Sequence, residues 1–279
     1  MPEIASEIRS LGPESQSLVP ANNENICGWI EYNFGLLHIG PMKHDADFDE
    51  ARDKLEGRSN PVMVGVERAI HEHRLPPGTR LAEPELCEIY GVSRTIVRAG
   101  LQSLTHSQLV TLVPNRGARV AKPTPADAQE VFEARELIEP RTAREAARHA
   151  TAADIDLLVR HIQDEHAALH ARDYGRSLRL SGLFHTEIAR ISGQKTLLGF
   201  VDQLVSRSAL IIALYWRRER ARCDSQSHER LIDAIASGRG NEAETLMRGH
   251  LLDIHSALHF GPDEKGARAL RDMLLPGAG

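Results

Sequence analysis

The chain has 279 residues, of which 41% are hydrophobic and 26% charged, with 21 glycines and 14 prolines. This describes a globular protein long enough for two domains and excludes a disordered or fibrous one. The formal net charge of −5 is unevenly spread: residues 1–60 carry 5 basic and 11 acidic side chains, whereas residues 61–122 carry 8 and 5.

The longest apolar run, 209–216, is less than half of what a bilayer-spanning helix needs. The first twenty residues mix Glu3, Glu7 and Glu14 with a single arginine, unlike a secretory leader. Cys27, Cys87 and Cys223 are odd in number and far apart, the usage of reduced thiols. A cytoplasmic protein without a membrane segment is therefore expected.

Residues 1–57 show no sustained period and are expected to form a poorly ordered extension. Over 62–72, Val64, Val66, Ala69 and Ile70 fit one helix face, which stops before Pro76-Pro77-Gly78. EPELCEIY then reads as a helix, Gly91-Val92-Ser93 as a tight turn, and RTIVRAGLQSLTHSQL as a second helix. Helix, glycine turn, helix is the helix-turn-helix arrangement. LVTLVPNRGARVAK alternates β-branched residues about Pro114-Asn115-Arg116-Gly117, which predicts a β-hairpin with a basic tip. Together these make a winged helix over 58–122. Past the Lys122-Pro123-Thr124-Pro125 linker only helical periods follow, over 126–150, 152–171, 174–191, 197–222, 226–236 and 241–259. The fold class expected is mostly α: an N-terminal winged helix-turn-helix, an all-α bundle over 126–260 and a tail over 261–279.

No acidic residue lies between Glu88 and Asp127, while Arg94, Arg98, Arg116, Arg119 and Lys122 do. Such a cationic stretch attracts a polyanion by counterion release. Arg94 and Arg98 leave one face of the second helix at the end that enters a major groove, and arginine reads guanine bidentately. The plainer alternative is a solvated basic face. Against it stand the glycine turn, the burial spacing of Val97, Leu101 and Leu104, and the basic hairpin.

PPGTRLAEPELCEIYGVSRTIVRAGLQSL followed by LVTLVPNRGARV resembles the winged helix of the GntR family of bacterial transcription regulators, and the helical half resembles the ligand-binding domain of its FadR branch. The resemblance implies DNA contacts from Arg94, Thr95 and Arg98 on the recognition helix and from Arg116 and Gly117 at the wing. The chain departs from the usual motif at Ile96, Ala99 and Gly100, and Gly100 costs the helix about 1 kcal/mol.

In the helical half, His185, His228 and His250 each share an apolar helix face. His228 lies nine residues before Ser237 and His250 nine after Asn241, so folding at the SGRGN break sets both imidazoles at one height, where His185 can join them. Three inward imidazoles make a divalent-metal site; three hydrogen-bonded core histidines are the equally weighted alternative. The resemblance favours the metal, since many FadR-branch domains bind one through an Asp-x3-His pair and two later histidines. Here Ser181, in SGLFH, stands at the aspartate position, which implies weaker binding or completion of the shell by a carboxylate effector or water. Zinc, nickel and manganese are the candidates.

Arg135 matches a family position that commonly faces the effector cavity, where a guanidinium would clamp a carboxylate; an Arg135/Glu139 pair on a wet surface is the alternative. The expected protein is a homodimeric regulator, a repressor by preference, of a double-stranded palindromic operator, modulated by a small carboxylate bound by Arg135 and Ser181. A metal-responsive regulator and a metal-dependent enzyme fused to a DNA-binding module are the competing expectations.

Overall fold

The first helix, α1 (Pro61–His71), starts where Asn60 caps it: the Asn60 Oδ1 accepts from the Val62 and Met63 amides at 3.0 and 3.2 Å, with proline in the first turn. This is a computed structural model that describes residues 60–113, 117–216 and 225–260, all within one compact unit, Gly57–Gly279. The expected extension 1–57, the wing-tip residues Pro114-Asn115-Arg116 and the tail 261–279 lie outside the described residues.

Helices α2 (Glu83–Tyr90) and α3 (Arg94–His106) are joined through Gly91, whose φ of 63° is the left-handed conformation that closes the helix-turn-helix. Asn60 also donates through Nδ2 to the Ile96 carbonyl at 2.9 Å, tying α1 to α3. Gly100 lies directly beneath that amide: a Cβ there would sit 2.6 Å from Asn60 Oδ1 and 3.1 Å from the Met63 nitrogen. The glycine that costs helix propensity is the one that lets the cap approach.

The hairpin of β2 (Val110–Val113) and β3 (Gly117–Val120) forms in the register Val110↔Val120 to Val113↔Gly117. The sequence reading missed a third strand, β1 (Arg80–Leu81), which pairs antiparallel with β3 and gives the order β1-β3-β2. Leu81, Val110, Ala118 and Val120 turn inward onto Val62, Val66, Val97 and Leu101.

Among the described residues six helices follow: α4 (Pro125–His149), α5 (Ala152–His170), α6 (Tyr174–Ile191), α7 (Lys195–Tyr215), α8 (Ser225–Ala236) and α9 (Gly240–Ser256). Reciprocal capping boxes at Thr124/Asp127 and Thr151/Asp154 start α4 and α5. Pro140 interrupts α4 without ending it. The Glu136 carbonyl, which loses its usual donor to the proline ring, is met at 3.4 Å by Arg248 Nη1 of α9. The core joins Ala143 and Ala146 of α4 to Leu158, Phe184, Leu231 and Met247.

Helix α7 ends at Tyr215, where the apolar periodicity predicts a helix to residue 222; residues 217–222 of that expectation lie outside the described residues. Trp216 is already extended and bridges to Leu258, the Tyr215 carbonyl accepts from the His259 amide, and the Tyr215 hydroxyl donates to the Pro123 carbonyl. Tertiary pairing wins over local preference there. Among the described residues α7 is the one helix long and apolar enough to cross a membrane, with a mean hydropathy of 1.6. Here its Ile211 packs on Val131 and Phe132 of α4.

The winged helix and the bundle meet where α1 ends. Gly175 of α6 lies so close to Glu72 that a Cβ would come 2.2 Å from its carbonyl oxygen. Arg179 Nε is 3.2 Å from the Glu72 carboxylate, and His73 Nε2 lies 3.0 Å from the Ala209 carbonyl.

Candidate metal centre and nucleic-acid interface

On α3, Val97, Gly100, Leu101 and Leu104 are buried while Arg94, Thr95, Ile96 and Arg98 face out, so the candidate DNA-contacting side chains share the open face. Ser93 caps α3 without a side-chain hydrogen bond, leaving first-turn amides available to phosphate. Arg98 has a neighbour that the sequence reading did not anticipate: its Nε–H is shared by the two Glu83 carboxylate oxygens at 3.0 and 3.1 Å. Gly117, with φ 79°, opens β3 at the base of the wing, and Arg116 falls outside the described residues.

The structure brings the three histidines together. His228 Nε2 lies 3.1 Å from His250 Nε2, which lies 3.2 Å from His185 Nε2, and all three rings are buried. The opposite nitrogens face separate partners. His185 Nδ1 is 2.6 Å from Glu139 Oε2, His228 Nδ1 is 3.3 Å from Glu165 Oε2, and His250 Nδ1 is 3.1 Å from the Ser227 hydroxyl. A carboxylate accepts only, so the Glu139 hydrogen bond assigns the ring proton of His185 to Nδ1 and leaves its Nε2 lone pair aimed inward, while Glu165 stands beside His228 Nδ1 without a hydrogen bond to it.

Burial, aided by the other two imidazoles and Arg135, holds His250 well below the usual histidine range, and burial lowers His185 despite Glu139. Both rings are thus neutral at pH 7, the form that ligates a metal. Burial alone would raise the Glu139 carboxyl, but Arg135 and His185 outweigh it and hold it at about 2.

His250 Nε2 lies within hydrogen-bond distance of both other Nε2 atoms, so a proton on it can bridge to only one of them, whereas a divalent ion among the three would meet all of them. A metal–nitrogen distance of about 2.1 Å places neighbouring donors about 3.0 Å apart in an octahedral shell and about 3.4 Å apart in a tetrahedral one. The two separations from His250 fall in that interval and all three ligand atoms lie within 4.8 Å of one another, so the donor set fits a divalent ion. The carboxylates behind the rings are the kind of partner that orients ligating imidazoles.

Arg135 is not on a wet surface. It is 3% exposed, paired with Glu139 through Nε and Nη2, and donates from Nη1 to Ser208 at 3.2 Å. Ser181 is half-buried one turn before His185. Glu165 and Ser227 escaped the sequence reading. The signal for Glu165 was there, since Leu158, Ile162 and Glu165 share one face of α5. Outside the cluster, His255 stacks on Phe132 and pairs with Glu136.

Residues 60–120 match the model for bacterial regulatory proteins of the gntR family, and residues 130–253 match the FCD domain. The HTH-type transcriptional regulator LutR of Bacillus subtilis is 25% identical over 211 residues, covering 68% of this chain and 95% of LutR. The Glc operon transcriptional activator of Escherichia coli is 26% identical, covering 71% of this chain and 87% of its own. The Escherichia coli repressor NanR is 26% identical, covering 76% and 87%. Among solved structures, a GntR regulator from Rhodococcus sp. RHA1 superposes with a TM-score of 0.63 at 23% identity over 72% of this chain and 96% of its own, which supports the fold.

Proposed function

The chain belongs to the GntR family of bacterial transcription regulators, with an FCD domain behind its winged helix, and from that premise we propose a homodimeric, cytoplasmic repressor whose operator binding responds to a small carboxylate. Its relatives are transcription regulators and not enzymes, which removes the alternative of a metal-dependent enzyme. Regulators of this family bind DNA and usually act as dimers. In this reading the unit 58–122 meets half of a palindromic operator through Arg94, Thr95, Arg98, Arg116 and Gly117, and the unit 126–260 carries the effector site and the dimer contact.

The observation that carries the effector reading is the set of three converging Nε2 atoms backed by Glu139, Glu165 and Ser227. His185, His228 and His250 would hold a divalent ion, which supplies a Lewis-acidic centre with open positions for carboxylate oxygens. Ser181 leaves the shell without an anionic ligand, and Arg135 lies close enough to depress both His185 and His250, with its charge balanced by Glu139. Helix α6 carries His185 and, nearer its N-terminus, Gly175 and Arg179, which touch Glu72 of the winged helix. A ligand that favours one position of α6 thereby favours one position of the DNA-binding unit.

Calorimetry with short hydroxy, keto and dicarboxylic acids tests this. At least one should bind the metal-loaded protein, lose affinity on chelation and bind better than its neutral amide. An uncharged effector, or equal binding to metal-free protein, overturns it. A second reading is favoured by the all-neutral donor set, which holds an ion more weakly than one with an aspartate: the ion itself is the signal. Metal added without any acid then suffices to change operator binding.

A further inference from the structure

Arg98 is held from behind. The single Nε–H is engaged by both oxygens of Glu83, while Nη1 and Nη2 make no hydrogen bond among the described residues. Glu83 is the first residue of α2, followed by Pro84, and its carboxylate is 28% exposed against 68% for Arg98. The acid is therefore the better anchored partner, and the arginine the one that is positioned. With its Nε side occupied, the guanidinium presents the Nη1–Nη2 edge, two parallel N–H donors matched to guanine O6 and N7.

Glu83 also sets a negative charge against Arg98, which lies in the stretch free of acids between Glu88 and Asp127. An acid beside a DNA-binding face opposes phosphate contact at every sequence. An exposed ion pair contributes little to folding, and Glu85 also supplies an acid to the first turn of α2, so helix stability alone does not explain a carboxylate turned onto Arg98. We infer that Glu83 is a specificity-determining positioning residue: it aims Arg98 at a guanine in the major groove and weakens docking where no guanine is there to meet it. This rests on the reading of Arg98 as a base-contacting residue, and the test separates the two.

The probes are a duplex enriched by the wild-type protein from a random pool and a scrambled duplex of equal length, with affinities read by fluorescence anisotropy. Loss of one well-placed bidentate contact corresponds to about tenfold. Glu83→Ala should lower affinity for the enriched duplex by about that factor and raise affinity for the scrambled one about two- to fivefold, by removal of one charge. Glu83→Gln, which keeps an acceptor oxygen but not the charge, should raise scrambled binding equally and retain more discrimination. In an Arg98→Ala background, Glu83→Ala should raise both affinities alike. Opposite signs on the two duplexes support the inference. A parallel rise on both in the wild-type background reduces Glu83 to a charge effect, and a parallel fall reduces it to a structural part of α2; either overturns the inference. If Arg98→Ala leaves the enriched duplex bound as before, the reading of Arg98 itself fails.

Discussion

Replacing Gly175 by alanine should separate the two halves of the molecule at their tightest contact. The added Cβ would lie 2.2 Å from the Glu72 carbonyl oxygen and 3.0 Å from its carbon, with backbone on both sides. No side chain can rotate away, so reaching ordinary contact at 3.4 Å requires the elements to part by about 1.2 Å, the difference of the two distances. The same movement strains the contact of Arg179 Nε with Glu72, now 3.2 Å. Overpacking of this kind costs about 1 to 3 kcal/mol, partly offset by about 1 kcal/mol of helix propensity gained. The net expectation is a loss of roughly 1 kcal/mol in urea unfolding, with operator affinity of the ligand-free protein near wild type and its response to metal and acid reduced. Gly199→Ala is the control, because no atom lies within 4 Å of a Cβ there. If Gly175→Ala unfolds and responds as the wild type does, the α1–α6 contact does not carry the signal.

Four further outcomes can be checked directly. Arg94→Ala and Arg98→Ala should each weaken binding to the enriched duplex by about 1 to 3 kcal/mol with unchanged melting temperature, which anisotropy and calorimetry measure. Elemental analysis should find a divalent ion in the wild type and little in His228→Ala, while Ser181→Asp should retain it against a higher chelator concentration; equal loading in all three would make these core histidines. Gly100→Ala should destabilise the wild type but stabilise Asn60→Ala by about 1 kcal/mol, and simple additivity in unfolding would deny the contact between Asn60 and Gly100. The Glu139 carboxyl sits below its unfolded range, so the stability it contributes is full above about pH 4.5 and is lost as pH falls toward 2. In metal-free protein Glu139→Gln should lack that slope, which acid titration followed by circular dichroism will show.

Periodicity alone carried most of the architecture. Residues 174–191 were legible to the residue because Asp173 and Ser192-Gly193 punctuate both ends of α6. The height argument for His228 and His250 worked because the SGRGN break does fold two helices back on each other. What stayed hidden depends on distant partners. β1 is two residues long and exists only through its pairing with β3, and α7 stops where Trp216 finds Leu258. Glu139 was visible as a partner of Arg135, but its bond to His185 joins residues 46 apart. Glu83 sits 15 residues before Arg98 across a turn whose angle no local pattern sets.

Leu210 belongs by sequence to the middle of α7, yet it is 1% exposed and packs into the core of the winged helix, with Val66 and Leu104. A fragment cut in the linker at residue 122 would therefore leave an apolar socket empty, and the remaining bundle would show a bare leucine to water. For anyone grafting this DNA reader onto a different sensor, the boundary that matters is in the core and not along the chain. A working chimera needs either a leucine delivered to that socket by the new partner or polar replacements around it.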